Sequence, residues 1–295
     1  MKKYYLSASI SILCWSTVAT VVKLLLGTLQ SIQVLFISSF FAGICLLIFN
    51  IATKRILKLK EYRAVDYLKT VLICLPGTLL YYVFYYTGTS KMLASQAFIV
   101  NYLWPIMCVV FACIILKEKI TPVKLVAIFL SFIGVIVVIG KSIFVFDGDI
   151  LVGALFCVLG AISYGVFTAL NGKSKYEKPL SIMISYFATF IITGVFLLIT
   201  KNLPKVEPVQ LLGLCWNGAF TMGVANTMWM YALSSKDTAK ISNLAYLTPF
   251  ISLVWTSVFL KEKITLLSVL GLGIIMAGIL IQLLYKGGKK DSQIK

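Results

Sequence analysis

Ten long apolar stretches, each ended by a short polar cluster, run the length of this chain of 295 residues. Approximately, they cover 4–26, 30–52, 66–87, 92–116, 121–140, 149–171, 179–200, 208–233, 238–260 and 265–285. As helices, stretches of about 18 to 25 residues are long enough to cross a hydrocarbon layer of about 30 Å. The period-two alternation over about ten residues that marks barrel strands is missing. The pattern therefore predicts an all-α integral membrane protein with ten transmembrane helices.

Within that pattern the chain repeats itself. Leu116-Lys117-Glu118-Lys119-Ile120-Thr121 recurs letter for letter as Leu260-Lys261-Glu262-Lys263-Ile264-Thr265. At the same offset Tyr102 matches Tyr246, Leu103 matches Leu247, Pro105 matches Pro249 and Gly134 matches Gly278. Two five-helix halves follow, residues 1–140 and 141–295. Five is odd, so the second half enters the bilayer from the opposite side and the two Lys-Glu-Lys loops fall on opposite faces. In such inverted repeats substrate sits near the midplane between the halves, and access alternates as one half rocks on the other.

The polar interruptions mark where that midplane cavity would lie. Asn101-Tyr102-Leu103-Trp104-Pro105 puts an amide, a phenol and an indole beside a proline that leaves the Asn101 carbonyl without its helical partner. Tyr246-Leu247-Thr248-Pro249 is the shorter copy. Irregular backbone at membrane depth persists where protein or a water-filled cavity satisfies it, so the pair reads as two hinges, Pro105 and Pro249, in a pocket wall; helix bends made only for packing are the plainer reading. Trp15 in the first stretch and Tyr164 in the sixth occupy equivalent places. Asn226 and Trp229 share one face of the eighth stretch. In the third, Tyr82 is assigned to the pocket, and Tyr85 and Tyr86 to the interfacial belt that tyrosines at span ends commonly form. Asn217 is placed near an interface. The candidate substrate-binding set is Trp15, Tyr82, Asn101, Tyr102, Trp104, Tyr164, Asn226, Trp229 and Tyr246. The glycines of the fifth and tenth stretches serve close helix approach, within the chain or at a dimer face.

Composition sharpens this picture. The chain is 60% hydrophobic and 13% charged, more apolar than a soluble core requires. Its net charge of +17 would suggest a nucleic-acid partner in a soluble protein. Here the basic residues cluster in loops and at the ends, and no such partner is expected. With the N-terminus in the cytoplasm, about 20 of the 27 lysines and arginines face that side, as the positive-inside rule requires. Both termini are then cytoplasmic, including the basic tail from Lys286. Seven cysteines fall within apolar stretches and the chain has no histidine, so a metal site or other cofactor is not expected. Every Asp and Glu lies in a loop, at a span end or in the tail. A buried cationic substrate needs a carboxylate partner, so the expected cargo is neutral or zwitterionic, held by hydrogen bonds and ring faces. An intramembrane enzyme would need an activated nucleophile or a metal, and neither is visible.

At Asn101 to Pro105, and again at Trp15 and Trp229, the chain resembles the drug/metabolite transporter superfamily, in particular its ten-helix EamA-type members. The Asn-Tyr-Leu-Trp-Pro run is similar to that of bacterial aromatic amino acid exporters. The resemblance implies ten helices around a central cavity, cytoplasmic termini, a bacterial inner membrane and export of aromatic or other neutral amino acids. Another neutral metabolite, a nucleobase or a drug is the alternative cargo. It also implies that Tyr102, Trp104 and Tyr164 line the cavity, with tyrosine at 164 where the family pattern has tryptophan. A monomer is favoured, although composition does not decide oligomeric state.

Overall fold

The computed structural model of the chain describes residues 2–145, 147–235 and 238–284. Lys236, Asp237 and the basic tail at 286–295 lie outside the described residues. Ten helical runs appear: Lys2–Leu25, Ser31–Ala52, Ala64–Lys91, Ala94–Ile115, Pro122–Val145, Gly148–Lys173, Lys178–Ile199, 208–233, 238–260 and Leu266–Leu284. They are called the first to the tenth helix below. Among the described residues there is no strand, and nine helices are long and apolar enough to cross a membrane. The eighth, at 208–233, is an equally long run that carries Asn217, Thr221, Asn226 and Thr227.

Packing follows a two-fold rule in which each helix exchanges with the one five places on. The fifth packs on the tenth and the second on the seventh. The third packs on the sixth as the eighth does on the first, and the fourth on the sixth as the ninth does on the first. The second also meets the eighth, as the seventh meets the third. The fifth–tenth contact shows the inversion atom by atom. A Cβ on Gly134 would lie 2.7 Å from the Gly271 carbonyl and 3.0 Å from the Ile275 nitrogen. A Cβ on Gly278 would lie 2.8 Å from both the Ala127 carbonyl and the Ser131 hydroxyl. The partners occupy the same positions displaced by one repeat, and they run antiparallel. Bare backbone at these glycines lets the two helices touch, so Gly134, Gly271 and Gly278 serve packing within the chain.

The repeated hexapeptide is a helix stop followed by a helix start. Lys117 and Lys261 both adopt a left-handed conformation, φ 59° and 55°. Past that turn the Glu118 amide bonds the Ala112 carbonyl and the Glu262 amide bonds the Thr256 carbonyl, both at 3.4 Å. Thr121 and Thr265 then accept from the Lys124 and Ser268 amides, at 3.3 and 3.1 Å, capping the helices that follow. The two loops lie at opposite ends of the bundle: Glu262 touches Ala94 at the start of the fourth helix, whereas Glu118 follows its far end at Ile115.

Among the described residues five helices are interrupted. The fourth breaks at Tyr102 and Leu103 and restarts at Trp104, and the ninth tightens to a 3-10 turn at Ala245–Leu247 and restarts at Thr248. The third carries a π turn at Pro76–Leu80 and the eighth a longer one at Trp216–Val224, again in register with the repeat. Such π turns shift the phase of the side chains that follow and are frequent at functional sites. The first helix breaks at Thr17, while its counterpart, the sixth, is continuous.

Candidate functional site

The matched interruptions surround one cavity of about 240 Å³. The fourth helix contributes Phe98, Asn101, Tyr102 and Trp104, and the third Gly77, Thr78, Tyr81, Tyr82 and Tyr85. Trp15 and Val18 come from the first helix, Tyr164, Phe167 and Thr168 from the sixth, and Ile182 and Tyr186 from the seventh. Thr221, Asn226 and Trp229 of the eighth helix and Ala245 and Thr248 of the ninth complete it. Among these described residues none is charged.

Rings line two stretches of the cavity wall. On one, Tyr81 and Trp104 flank Tyr164 at centroid distances of 5.1 and 5.3 Å, and Phe167 extends the row at 5.6 Å. On the other, Trp15 and Trp229 meet edge to face at 5.3 Å. The edge-to-face geometry suits the ring quadrupoles and leaves π faces available to a guest. The two breaks are joined directly, because the Tyr102 hydroxyl donates to the Ala245 carbonyl at 2.8 Å.

Polar groups are sparse and partly unspent. The Asn101 amide donates to the Tyr81 hydroxyl at 3.0 Å. Its Oδ1 and the Thr248 hydroxyl have no partner among the described residues, though both residues are buried. Asn226, also in the lining, donates to the Met222 carbonyl at 2.6 Å, a backbone group of the π segment. A guest bearing N–H donors would meet acceptors and ring faces here and no ion-pair partner.

Eight of the nine residues expected at the pocket line this cavity: Trp15, Tyr82, Asn101, Tyr102, Trp104, Tyr164, Asn226 and Trp229. Tyr246 does not. It packs half-buried against the main core, and its neighbours Ala245 and Thr248 face the cavity instead. Pro105 and Pro249 each sit in the first turn of the restarted helix, one residue beyond the wall residues Trp104 and Thr248. The belt assignment of Tyr85 and Tyr86 is corrected, since both are among the most buried side chains in the protein. Asn217 is likewise interior, donating to Tyr86 at 2.7 Å and to Ser38 at 3.0 Å. Tyr81, Phe167 and Tyr186 also line the cavity, although no motif marks them; Tyr186 reaches it beside Tyr82, hydroxyl to hydroxyl at 3.3 Å. A usable signal existed for Tyr81, which lies four residues from Tyr85 on one helical face.

The two ends of the cavity differ. Toward Glu262 its lining is buried at Tyr85, Phe98, Asn101 and Tyr102. Toward the opposite end Thr168 is exposed and Asn226 and Trp229 are partly so. The cavity is thus shut at the Glu262 end and opens toward the other.

Comparison with known proteins agrees with this architecture. The model of the EamA-like transporter family matches residues 2–140 and again 151–284. An uncharacterized transporter of Archaeoglobus fulgidus is 25% identical over 95% of this chain and 98% of its own length. One from Clostridium kluyveri is 26% identical over 100% and 97%. An aromatic amino acid exporter of Ancylobacter novellus is 22% identical over 58% of this chain and 61% of its own. A solved crystal structure superposes with a TM-score of 0.65 over 96% of both chains at 18% identity, a likeness of fold.

Proposed function

Because the chain belongs to the EamA-like transporter family, and is therefore a multi-pass membrane transporter and not an enzyme, we propose that it exports aromatic or other neutral amino acids by alternating access. The observation that carries this reading is the uncharged, ring-walled cavity between the two matched breaks. An amino acid ammonium over an indole or phenol face gains about 0.5–2 kcal/mol. An aromatic side chain against these rings adds about 0.5–1.5 kcal/mol of ring contact. Asn101 and Thr248 supply hydrogen-bonding groups for the polar end. The sum is weak binding, which a carrier needs in order to release. The cavity is smaller than the roughly 300 Å³ at which drug-sized pockets begin, which favours a small metabolite over a drug. The exporter from Ancylobacter novellus, whose name states an aromatic amino acid cargo, adds support.

In this reading residues 1–140 and 141–295 are the rocking halves. Pro105 and Pro249 are their hinges, and the protein sits in a bacterial inner membrane with both termini cytoplasmic. Counterflow of labelled phenylalanine into liposomes preloaded with unlabelled amino acid tests the cargo. Accumulation well above empty-liposome background is expected, and a flat trace with every amino acid would remove the cargo assignment. Orientation is tested separately by thiol labelling of intact cells carrying Lys119→Cys or Lys263→Cys. Only the second should react from outside, and equal labelling of both would overturn the topology.

A further inference from the structure

At the closed end, two charged side chains hold one corner of the bundle. The third helix ends at Lys91 and the fourth begins at Ala94, so a single tight corner presents a helix C-terminus beside a helix N-terminus. Lys23, from the outer half of the first helix, donates to the Thr89 and Met92 carbonyls at 2.8 and 2.6 Å. Glu262, from the loop between the ninth and tenth helices, takes the other side. Its Oε1 accepts from the Ala94 amide at 2.7 Å, and its Oε2 accepts from the Ser95 amide at 2.9 Å and the Ser95 hydroxyl at 2.6 Å. Each charge is of the sign its helix end favours, and charge-assisted bonds of this length are the strong kind. Glu262 is buried, at 9% exposure.

The half-helix carrying Lys23 has a joint at its base. The first helix stops at Ser16, Thr17 is a turn residue, and Val18–Leu25 forms a separate segment. Two indoles pin that joint: Trp255 donates to the Ser16 hydroxyl at 3.0 Å and Trp216 to the Thr17 hydroxyl at 2.9 Å. Val18, at the foot of the segment, and Phe98, one turn into the fourth helix, both line the cavity. Moving this segment away from the corner would uncover the cavity at the end that is now shut.

We infer that Lys23 and Glu262 form one latch, and that its release lets the segment Val18–Leu25 swing about Ser16 and Thr17 to open the cavity at the Glu262 end. This rests on the alternating-access part of the proposed function and is independent of the cargo.

The test is hydrogen–deuterium exchange of the full-length protein in lipid nanodiscs, comparing wild type with Lys23→Met and Glu262→Gln. Among the described residues Lys23 donates to the Thr89 carbonyl of the third helix and the Met92 carbonyl just past its end, and the Glu262 carboxylate accepts from groups at the start of the fourth, so two separate structural contacts would each loosen their own neighbourhood. A single latch requires crossed effects. Lys23→Met should raise exchange at Ala94 to Ala97, and Glu262→Gln should raise it at Val18 to Leu25, each by about tenfold or more, as loss of charged hydrogen bonds implies. Effects confined to each variant's own segment, or no change in either, would overturn the inference. If Glu262→Gln does not yield folded protein, Ser95→Ala removes one bond to the same carboxylate. It should raise exchange at Val18 to Leu25 several-fold; unchanged exchange there would count equally against a latch. No substrate is involved. A flat phenylalanine counterflow with crossed exchange would therefore sink only the cargo, and the reverse pattern only the latch.

Discussion

The same six residues, Leu-Lys-Glu-Lys-Ile-Thr, make the same turn at the two ends of this protein and then do different things with the glutamate. Both lysines at the turn are left-handed and both threonines cap the next helix. Yet Glu262 is buried on the N-terminus of the fourth helix, while the Glu118 side chain is 52% exposed and accepts from Lys124 at 3.0 Å. Local sequence accounts for the turn. The glutamate's partner is set by which helices come together at that end, so the difference between the loops records which end of the cavity is closed.

Stability should separate the two glutamates most. Glu262→Ala leaves the Ala94 and Ser95 amides and the Ser95 hydroxyl without a partner in a buried place, at about 1–3 kcal/mol for each group left unsatisfied, or somewhat less if water enters. With three such groups, a total of about 3 kcal/mol or more is expected. Glu118→Ala removes a half-exposed ion pair, which typically contributes about 0–1 kcal/mol. Thermal unfolding in detergent should show a clear drop for the first variant and almost none for the second. Equal drops would mean that the two ends are equally closed.

The breaks offer a second contrast. Trp104 and Thr248 are repeat counterparts, both lining the cavity, but only Trp104 belongs to the ring wall with Tyr164. Trp104→Ala should lower the transport rate by about tenfold or more, since it removes a ring face and its edge contact. Thr248→Ala should cost only a few-fold, the scale of one neutral hydrogen bond. Comparable losses would mean that cargo is held by the symmetric breaks and not by the aromatic side. Trp104→Phe, which keeps a π face, should recover part of the rate.

These contrasts also show what could be read from residues alone. Ten apolar stretches and a letter-for-letter repeat are strong one-dimensional signals, and the inverted packing of Gly134 and Gly278 is their direct consequence. The proline breaks were equally visible, because proline acts on its own helix. Tyr85, Tyr86 and Asn217 were misplaced for the opposite reason. Near the end of a span, a tyrosine facing the interface and one facing a neighbouring helix look alike in sequence, and the choice depends on rotation of the helix. The π turns at Pro76–Leu80 and Trp216–Val224 set that rotation. They have no sharp sequence mark beyond Pro76. Glu262 was read as a loop acid like the others, since nothing in its hexapeptide distinguishes it from Glu118.

The two threonine caps should behave alike. Thr121→Ala and Thr265→Ala each remove a side-chain acceptor from a helix start, at about 1 kcal/mol apiece. Near-equal losses in thermal unfolding would confirm that this part of the motif is local. A loss at Thr265 more than about twice that at Thr121 would show that the loop's tertiary contacts reach into the cap.

The smallest effect is expected at Lys117 and Lys261, where the sign reverses. A non-glycine residue in the left-handed region costs roughly 1–2 kcal/mol through its Cβ, and glycine removes that cost while giving back roughly 0.5–1 kcal/mol of backbone entropy. Lys117→Gly and Lys261→Gly should therefore each stabilise the protein slightly, by about 0.5 kcal/mol. Because φ is nearly the same at both positions, the two gains should match. A gain at Lys117 with a loss at Lys261 would be the informative exception. It would mean that the closed end needs a stiff turn to present Glu262 to the fourth helix, and that the motif carries a functional constraint at one end only.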